Sequence, residues 1–263
     1  MLSRARFLVL VLLLAAPAAL AQTAVAPGGT LLDEVIARGT LRVGSTGDYK
    51  PFTFLNPATK EFEGIDIDMA GSLAKALGVK LEIVKTAWPT LMADFTSGKF
   101  DAAMGGVSVS LERQKKGLFS IAYLVDGKAP IARCADGDKY ATLAGIDQAS
   151  TRVIVNPGGT NEKYARDNLK RAPIAVYADN VTIFDQIAGG KADVMITDAS
   201  ETMLQQKLHK GELCAQHPDQ PFNFSEKAYW LARDPIFKAF VDQWLRQAMM
   251  SKEYQTISDK WLK

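Results

Sequence analysis

From Thr40 onward, short apolar runs alternate with stretches whose apolar residues recur every three or four positions. Leu41-Arg42-Val43-Gly44 reads as a first strand, and Asp48 to Pro51 as a turn. Ile67, Ala70, Leu73 and Leu77 share one helical face, and Gly78 ends that helix. Leu81-Glu82-Ile83-Val84 is a second strand, followed by a helix from about Pro89 to Thr96. Asp101 to Met104 is a third strand, with a glycine pair after it. Strand and helix alternating at this spacing predict βαβ units and a mostly parallel sheet.

The pattern then restarts. Val153-Ile154-Val155 reads as a strand, Thr160 to Leu169 as a helix, and Ile174 to Tyr177 as a strand. A helix over Val181 to Ile187, a strand over Asp193 to Thr197 and a helix over Ala199 to Leu208 follow. Cys214 to Phe224 carries two prolines and no clear period, so it reads as a loop or linker. Two helices, Pro235 to Met249 and Glu253 to Leu262, close the chain. Two α/β units with a helical return predict two lobes and a cleft between them. Ligands in open α/β sheets bind outside the carboxyl ends of the strands, so the cleft is the expected site.

The first residues do not fit this pattern. Arg4 and Arg6 precede an apolar run from Phe7 to Ala16, then Pro17 and the small-residue sequence Ala19-Leu20-Ala21. This is the anatomy of a cleaved secretory signal, and a cut after Ala21 is expected to deliver the chain to the periplasm. The run is shorter than the roughly 20 apolar residues a bilayer span needs. No cysteine precedes Cys134, so no lipid-modified membrane anchor is expected. The signal also changes the charge. The chain of 263 residues has 31 Lys+Arg against 29 Asp+Glu, a formal +2. Removing the two signal arginines leaves 29 against 29. A neutral chain without a basic cluster argues against nucleic acid or an anionic membrane as partner. A small molecule remains, and composition is silent on oligomeric state.

Cys134 and Cys214 are the two cysteines. An isolated pair in an oxidising compartment is expected to be a disulfide. The other reading, a reactive thiol, has no neighbouring His or CxxC context. His209 and His217 lack the spacing of a zinc site, so no metal is expected. No GxSxG, P-loop or post-strand GxGxxG is present, which leaves serine-hydrolase and nucleotide chemistry unsupported.

The stretch Gly64-Ile65-Asp66-Ile67-Asp68-Met69, with Leu73-Ala74 and Leu77, resembles the signature of the family 3 extracellular solute-binding proteins, the polar amino-acid receptors of ABC importers. The resemblance covers essentially the whole mature chain. It implies the type II periplasmic-binding-protein fold, two α/β lobes around a central cleft joined by two hinge crossings. Lobe 1 is then expected over residues 22–127 and 225–263, and lobe 2 over 128–224. A narrower resemblance is to the cyclohexadienyl dehydratases, a catalytic branch of that fold. It rests on Thr46-Gly47-Asp48-Tyr49-Lys50-Pro51-Phe52, Leu111-Glu112-Arg113-Gln114, Asn156-Pro157-Gly158-Gly159-Thr160-Asn161-Glu162-Lys163, Asp179 to Phe184, and Thr197-Asp198 with Glu201. It implies decarboxylative dehydration of prephenate to phenylpyruvate and of arogenate to phenylalanine, with no cofactor. The rival reading is a non-catalytic receptor that hands an amino acid to a permease.

Such a substrate carries two carboxylates and a ring hydroxyl that leaves as water, so the site needs cations or N–H donors and a protonated acid. Arg113, in a helix that Ser110 can cap, suits a carboxylate, with Ser108 as a further donor; composition alone also allows a solvated surface arginine. Gly158-Gly159-Thr160 before a helix forms an anion site, compatible with Thr160 as a plain N-cap. Asn156 either donates to substrate or holds its turn. The resemblance puts Lys128 in the cleft as a second cation. Trp88 is a candidate ring wall or a core residue, and Asp48 and Tyr49 fall in the first loop facing the cleft. Asp198 and Glu201, three residues apart, share a face at a helix start. They read either as a capping box or as a buried acid, Glu201, next to a carboxylate that raises its pKa. The resemblance implies that Glu201 is the general acid, and that Asp198 pairs with a ligand ammonium.

Overall fold

Leu41 and Val43 are fully buried in the strand Thr40–Ser45. This strand pairs in parallel with Lys80–Lys85 on one side and Ala102–Ala103 on the other. The computed structural model describes residues 29–262, so the expected signal and its cut after Ala21 lie outside the described residues. Beyond Ala102–Ala103 the sheet continues through Trp230–Leu231 to Leu118–Phe119, both pairings antiparallel. The second sheet repeats the plan, in the order Ile174–Val176, Val153–Val155, Val194–Asp198, Lys128–Arg133, Leu213–Ala215. Its first two pairings are parallel and its last two antiparallel.

Each sheet is therefore mixed, where the sequence pattern predicted mostly parallel. The antiparallel strand, fourth in the order of each sheet, is the one the chain enters from the other lobe. Trp230–Leu231 lies beside Ala102–Ala103, and Lys128–Arg133 beside Val194–Asp198. Periodicity misses both. The first has only two residues, and the second is buried on both faces from Lys128 to Ala132, so it shows no polar alternation. The chain crosses between the sheets twice, along the antiparallel pair Leu124–Asp126 and Ser225–Lys227. One crossing runs into Lys128 and the other leaves through Lys227.

Other differences are local. The helix expected from Pro89 begins at Leu91, after a turn in which the backbone N–H of Leu91 bonds the carbonyl of Ala87. Asp48–Tyr49 forms a short strand against Thr53–Leu55, and the expected turn falls at residues 50–52 between them. The stretch read as a loop from Cys214 begins inside the edge strand Leu213–Ala215. That strand sets Cys214 opposite Ala132, and Cys214 is disulfide-bonded to Cys134. The helix Ile65–Leu77 buries Ile65, Met69, Ala70, Leu73 and Leu77 and ends on Gly78. It packs against Pro235–Met250 and Glu253–Leu262, and the buried Phe237, Val241 and Leu245 complete that core. A separate cluster around Val153, Val155, Val194 and Ile196 forms the core of the second lobe.

Candidate active site

The carboxyl ends of the strands in both lobes converge on a small, tightly lined cavity. Lobe 1 contributes Tyr49, Trp88, Gly106 and Ser108, and lobe 2 contributes Asn156, Gly159, Thr160, Asn161, Asn180, Asp198 and Glu201. The loop bearing Gly106 and Ser108 is held from behind by Asp66, part of the receptor-like signature. Its fully buried carboxylate accepts the backbone N–H groups of Gly105 (2.9 Å) and Gly106 (2.7 Å) and the Tyr123 hydroxyl (2.8 Å). Burial outweighs these bonds and pushes Asp66 up to about 6. Gly106 has φ +72° and lies against Tyr49 and Phe52, where a Cβ would clash.

Asp198 ends the strand Val194–Asp198 and is the N-cap of the helix Ala199–Leu208, yet its side chain makes no capping bond. Glu201, at the third helical position, does not bond back to the cap either; its Oε2 accepts the hydroxyl of Thr197. The capping-box reading therefore does not hold here. Asp198 instead accepts Lys128 Nζ on Oδ1 at 2.6 Å, and Lys227 Nζ and the Tyr49 hydroxyl (2.6 Å) on Oδ2. Burial alone would raise its pKa, but the charges of Lys128 and Lys227 more than offset it and hold Asp198 well below the usual carboxylate range. Lys128 and Lys227 are 3% and 0% exposed. Burial lowers Lys128 and Asp198 partly restores it.

Glu201 is 2% exposed and has no cationic hydrogen-bond partner. Burial pushes its carboxyl up to about 8 with help from the nearby Asp198 charge, against the opposing effects of the Thr197 hydroxyl and of the Lys227 and Lys128 charges. Two carboxyls three residues apart thus carry opposite protonation states at neutral pH: Asp198 ionised, Glu201 neutral.

Arg113 lies in the short helix Leu111–Gln114, whose N-cap Ser110 accepts the backbone N–H of Arg113. Its Nη1 donates to the Ser108 carbonyl at 2.7 Å, and the guanidinium lies 6.0 Å from the Trp88 ring centroid. At 8% exposure it forms no ion pair, and burial lowers it to about 10, against the pull of Asp198. It lines a groove adjoining the cavity and shared with Trp88, Gly159 and Thr160.

The remaining expected residues divide clearly. Ser108, Asn156, Thr160 and Trp88 line the cavity. Thr160 is the first residue of its helix and not its cap, which is Gly159, and its hydroxyl accepts Lys128 Nζ at 2.9 Å. Asn156 Oδ1 accepts from Asn161 Nδ2 at 3.2 Å. Lys128 stands behind Asp198 and outside the lining. Asp48 is also outside it, fixing the Trp88 indole N–H at 3.0 Å, while its own carbonyl accepts Asn180 Nδ2 from the other lobe at 3.0 Å. The expected pairing of Asp198 with a ligand ammonium meets an aspartate already held by two lysines. Sequence reasoning missed Lys227 entirely. It singled out neither Asn161 nor Asn180, although both sit in the motifs that carried the resemblance. The lone lysine ending a three-residue strand carries no signal of its own.

Residues 41–263 match the bacterial extracellular solute-binding proteins, family 3. The chain is 52% identical over 255 residues to the cyclohexadienyl dehydratase of Pseudomonas aeruginosa, covering 96% of this chain and 94% of that one. An ancestral amino acid-binding protein described as a precursor of cyclohexadienyl dehydratase superposes with a TM-score of 0.80 at 33% identity, covering 88% of this chain and 99% of its own. An ancestral cyclohexadienyl dehydratase is 51% identical, with a TM-score of 0.56, covering 89% of this chain and 97% of its own.

Proposed function

The chain belongs to the bacterial extracellular solute-binding proteins of family 3, and from that premise we propose that its cleft is catalytic, converting prephenate to phenylpyruvate and arogenate to phenylalanine. The observation that carries the reading is Glu201, a carboxyl kept neutral to about pH 8 inside a ligand cavity. A receptor that only binds has no use for a buried proton donor. A dehydratase requires one, because a hydroxide is a poor leaving group and water a good one. The near-full-length identity to a curated dehydratase supports the same choice.

In the mechanism, Glu201 gives its proton to the ring hydroxyl. The C–O bond breaks and water leaves. The bond from the ring to its carboxylate breaks at the same time, its electron pair completes the aromatic ring, and carbon dioxide departs. Glu201, now a carboxylate, regains a proton from solvent. Arg113 binds one substrate carboxylate; its free N–H donors at the cavity mouth support this. Thr160, the N–H groups at the start of its helix, Ser108 and Asn156 take up the other polar groups. Trp88, its indole fixed by Asp48, forms a wall for the ring. Asp198, beside Glu201, adds to burial in favouring its protonated form, and Lys128, paired with Asp198, orients Thr160. No step calls for a cofactor.

The lobes are taken as residues 22–127 with 225–263, and 128–224. In support, each five-stranded sheet draws its strands from one of these sets. An exported, periplasmic protein cut after Ala21 fits the family and the amino-terminal pattern. No helix among the described residues is long and apolar enough to cross a membrane.

Incubating the purified protein with prephenate or arogenate, and following phenylpyruvate or phenylalanine, tests the reading. Product formation without added cofactor is expected. Calorimetric binding of an amino acid without turnover of either compound would contradict it and favour the receptor.

A further inference from the structure

Two ammonium groups meet one carboxylate behind the cavity wall. Asp198 is the single ionised side chain that lines the cavity, since the other acid there, Glu201, is neutral. Each oxygen of Asp198 is committed, Oδ1 to Lys128 and Oδ2 to Lys227 and Tyr49. The three side chains Lys128, Asp198 and Lys227 themselves sum to +1, with the buried Asp126 carboxylate also favouring the charged form of Lys128 from outside the cavity lining. Lys227 is the member that changes the sign: with Lys128 alone the pair would be neutral.

Lys227 is fixed from several sides. Its Nζ donates to Ser108 Oγ at 2.9 Å as well as to Asp198. The ammonium lies 5.0 Å from the Tyr49 ring centroid and 5.9 Å from that of Phe52. Both faces are electron-rich and favour a cation. Its backbone belongs to the second crossing strand, paired with Leu124. The ammonium is thus held at the point where the lobes meet and cannot swing away from Asp198.

Resting on the dehydratase reading, we propose that Lys227 is a specificity-determining residue, which disfavours the amino-acid substrate relative to the keto acid. The two substrates differ at one place: one carries a keto oxygen where the other carries an ammonium. An ammonium entering the cavity finds no free carboxylate. Asp198 is already over-neutralised, and Asp48 lies outside the lining with Trp88 bonded to it. The neutral acceptor left to it is Asn180 Oδ1, which is buried without a partner. One neutral bond permits binding but does not offset the repulsion of a like charge beside a buried cluster. The keto acid meets no such penalty, and its two carboxylates are attracted by the same excess of positive charge. Lys227 acts through Asp198 and touches no reacting atom, so it is a positioning residue.

The experiment measures kcat/KM for prephenate and for arogenate in the wild type, in Lys227→Met and in Lys227→Arg. Methionine keeps the length of the stem and removes the charge; arginine keeps the charge. The wild type is expected to favour prephenate by about tenfold or more, and Lys227→Met to shrink that ratio by about tenfold, the scale on which a buried like charge discriminates. Lys227→Arg is expected to keep the wild-type preference. A merely structural role would lower both values together and leave the ratio unchanged. A wild type that favours arogenate, or a ratio unmoved in Lys227→Met, overturns the proposal. Should a variant fold too poorly to assay, calorimetric affinities of the wild type for phenylpyruvate and for phenylalanine decide. The keto acid must bind more tightly. Turnover of neither substrate would instead reject the dehydratase reading itself.

Discussion

Asp198 and Glu201 show how environment, and not residue type, sets chemistry. Both are buried carboxyls at one helix start. Asp198 has two ammonium partners and stays charged; Glu201 has a hydroxyl partner and stays neutral. An aspartate this deeply buried is tolerable only because its charge is matched, and the two lysines equally depend on it. Asp198→Asn leaves both cations uncompensated, and removing one partner of a buried pair costs about 3–5 kcal/mol. Urea unfolding of that variant should show a loss of this size; a change below about 1 kcal/mol, the scale of an exposed pair, would mean the cluster is solvated. The spacing of Asp198 and Glu201 was visible in the sequence, but it fitted a capping box as well as a catalytic pair. What separated the two readings was the absence of a capping bond and the arrival of Lys227 from a strand 29 residues away. No local pattern announces a contact over that distance.

At the level of elements, the helices and βαβ strands were legible because each buries one periodic face. The helix Ala199–Leu208 matched its expected bounds, and Pro235–Met250 differs by one residue. The short or doubly buried strands at the crossings were not legible, and they are the ones that bring Lys128 and Lys227 to the cleft. The turn before the helix Thr160–Asn168 was readable as an anion-binding start, but its closeness to the other lobe was not. Gly158 has φ +74°, and a Cβ there would lie 2.5 Å from Pro89 Cα. Lobe 2 thus rests its glycine turn on the backbone of lobe 1. Gly158→Ala adds a strained backbone and a clash with rigid neighbours. Small-angle scattering should show a larger radius of gyration for this variant, and kcat/KM should fall about tenfold or more, since a closed cavity is what orders the reacting groups. An unchanged radius with full activity would show that the closed contact is not needed.

For the molecule as a whole, the formal charge of the chain says little about its ligand; where the charge is buried says more. Arg113, Lys128 and Lys227, all nearly out of water, gather positive charge around one cavity. Two lobes make this possible. Tyr49 of one lobe and Asp198 of the other form a single hydrogen bond at 2.6 Å, and Asn180 and Asp48 form another at 3.0 Å, so the site is built from both lobes together. The Cys134–Cys214 disulfide lies within the second lobe and does not tie the two lobes together. The resemblance to solute-binding proteins was readable from sequence along nearly the whole chain, and the conversion of such a cleft to catalysis depends on one acid kept protonated by burial. Measuring kcat/KM for prephenate across pH tests that claim most directly, because this ratio reports the ionisation of the free enzyme. The value should be level below about 8 and fall about tenfold per pH unit above it, following Glu201, and Glu201→Gln should lose about 10²-fold or more on the level part of the profile and no longer show that fall. A profile that stays level through this range, or a Glu201→Gln protein that retains wild-type turnover, would contradict the account.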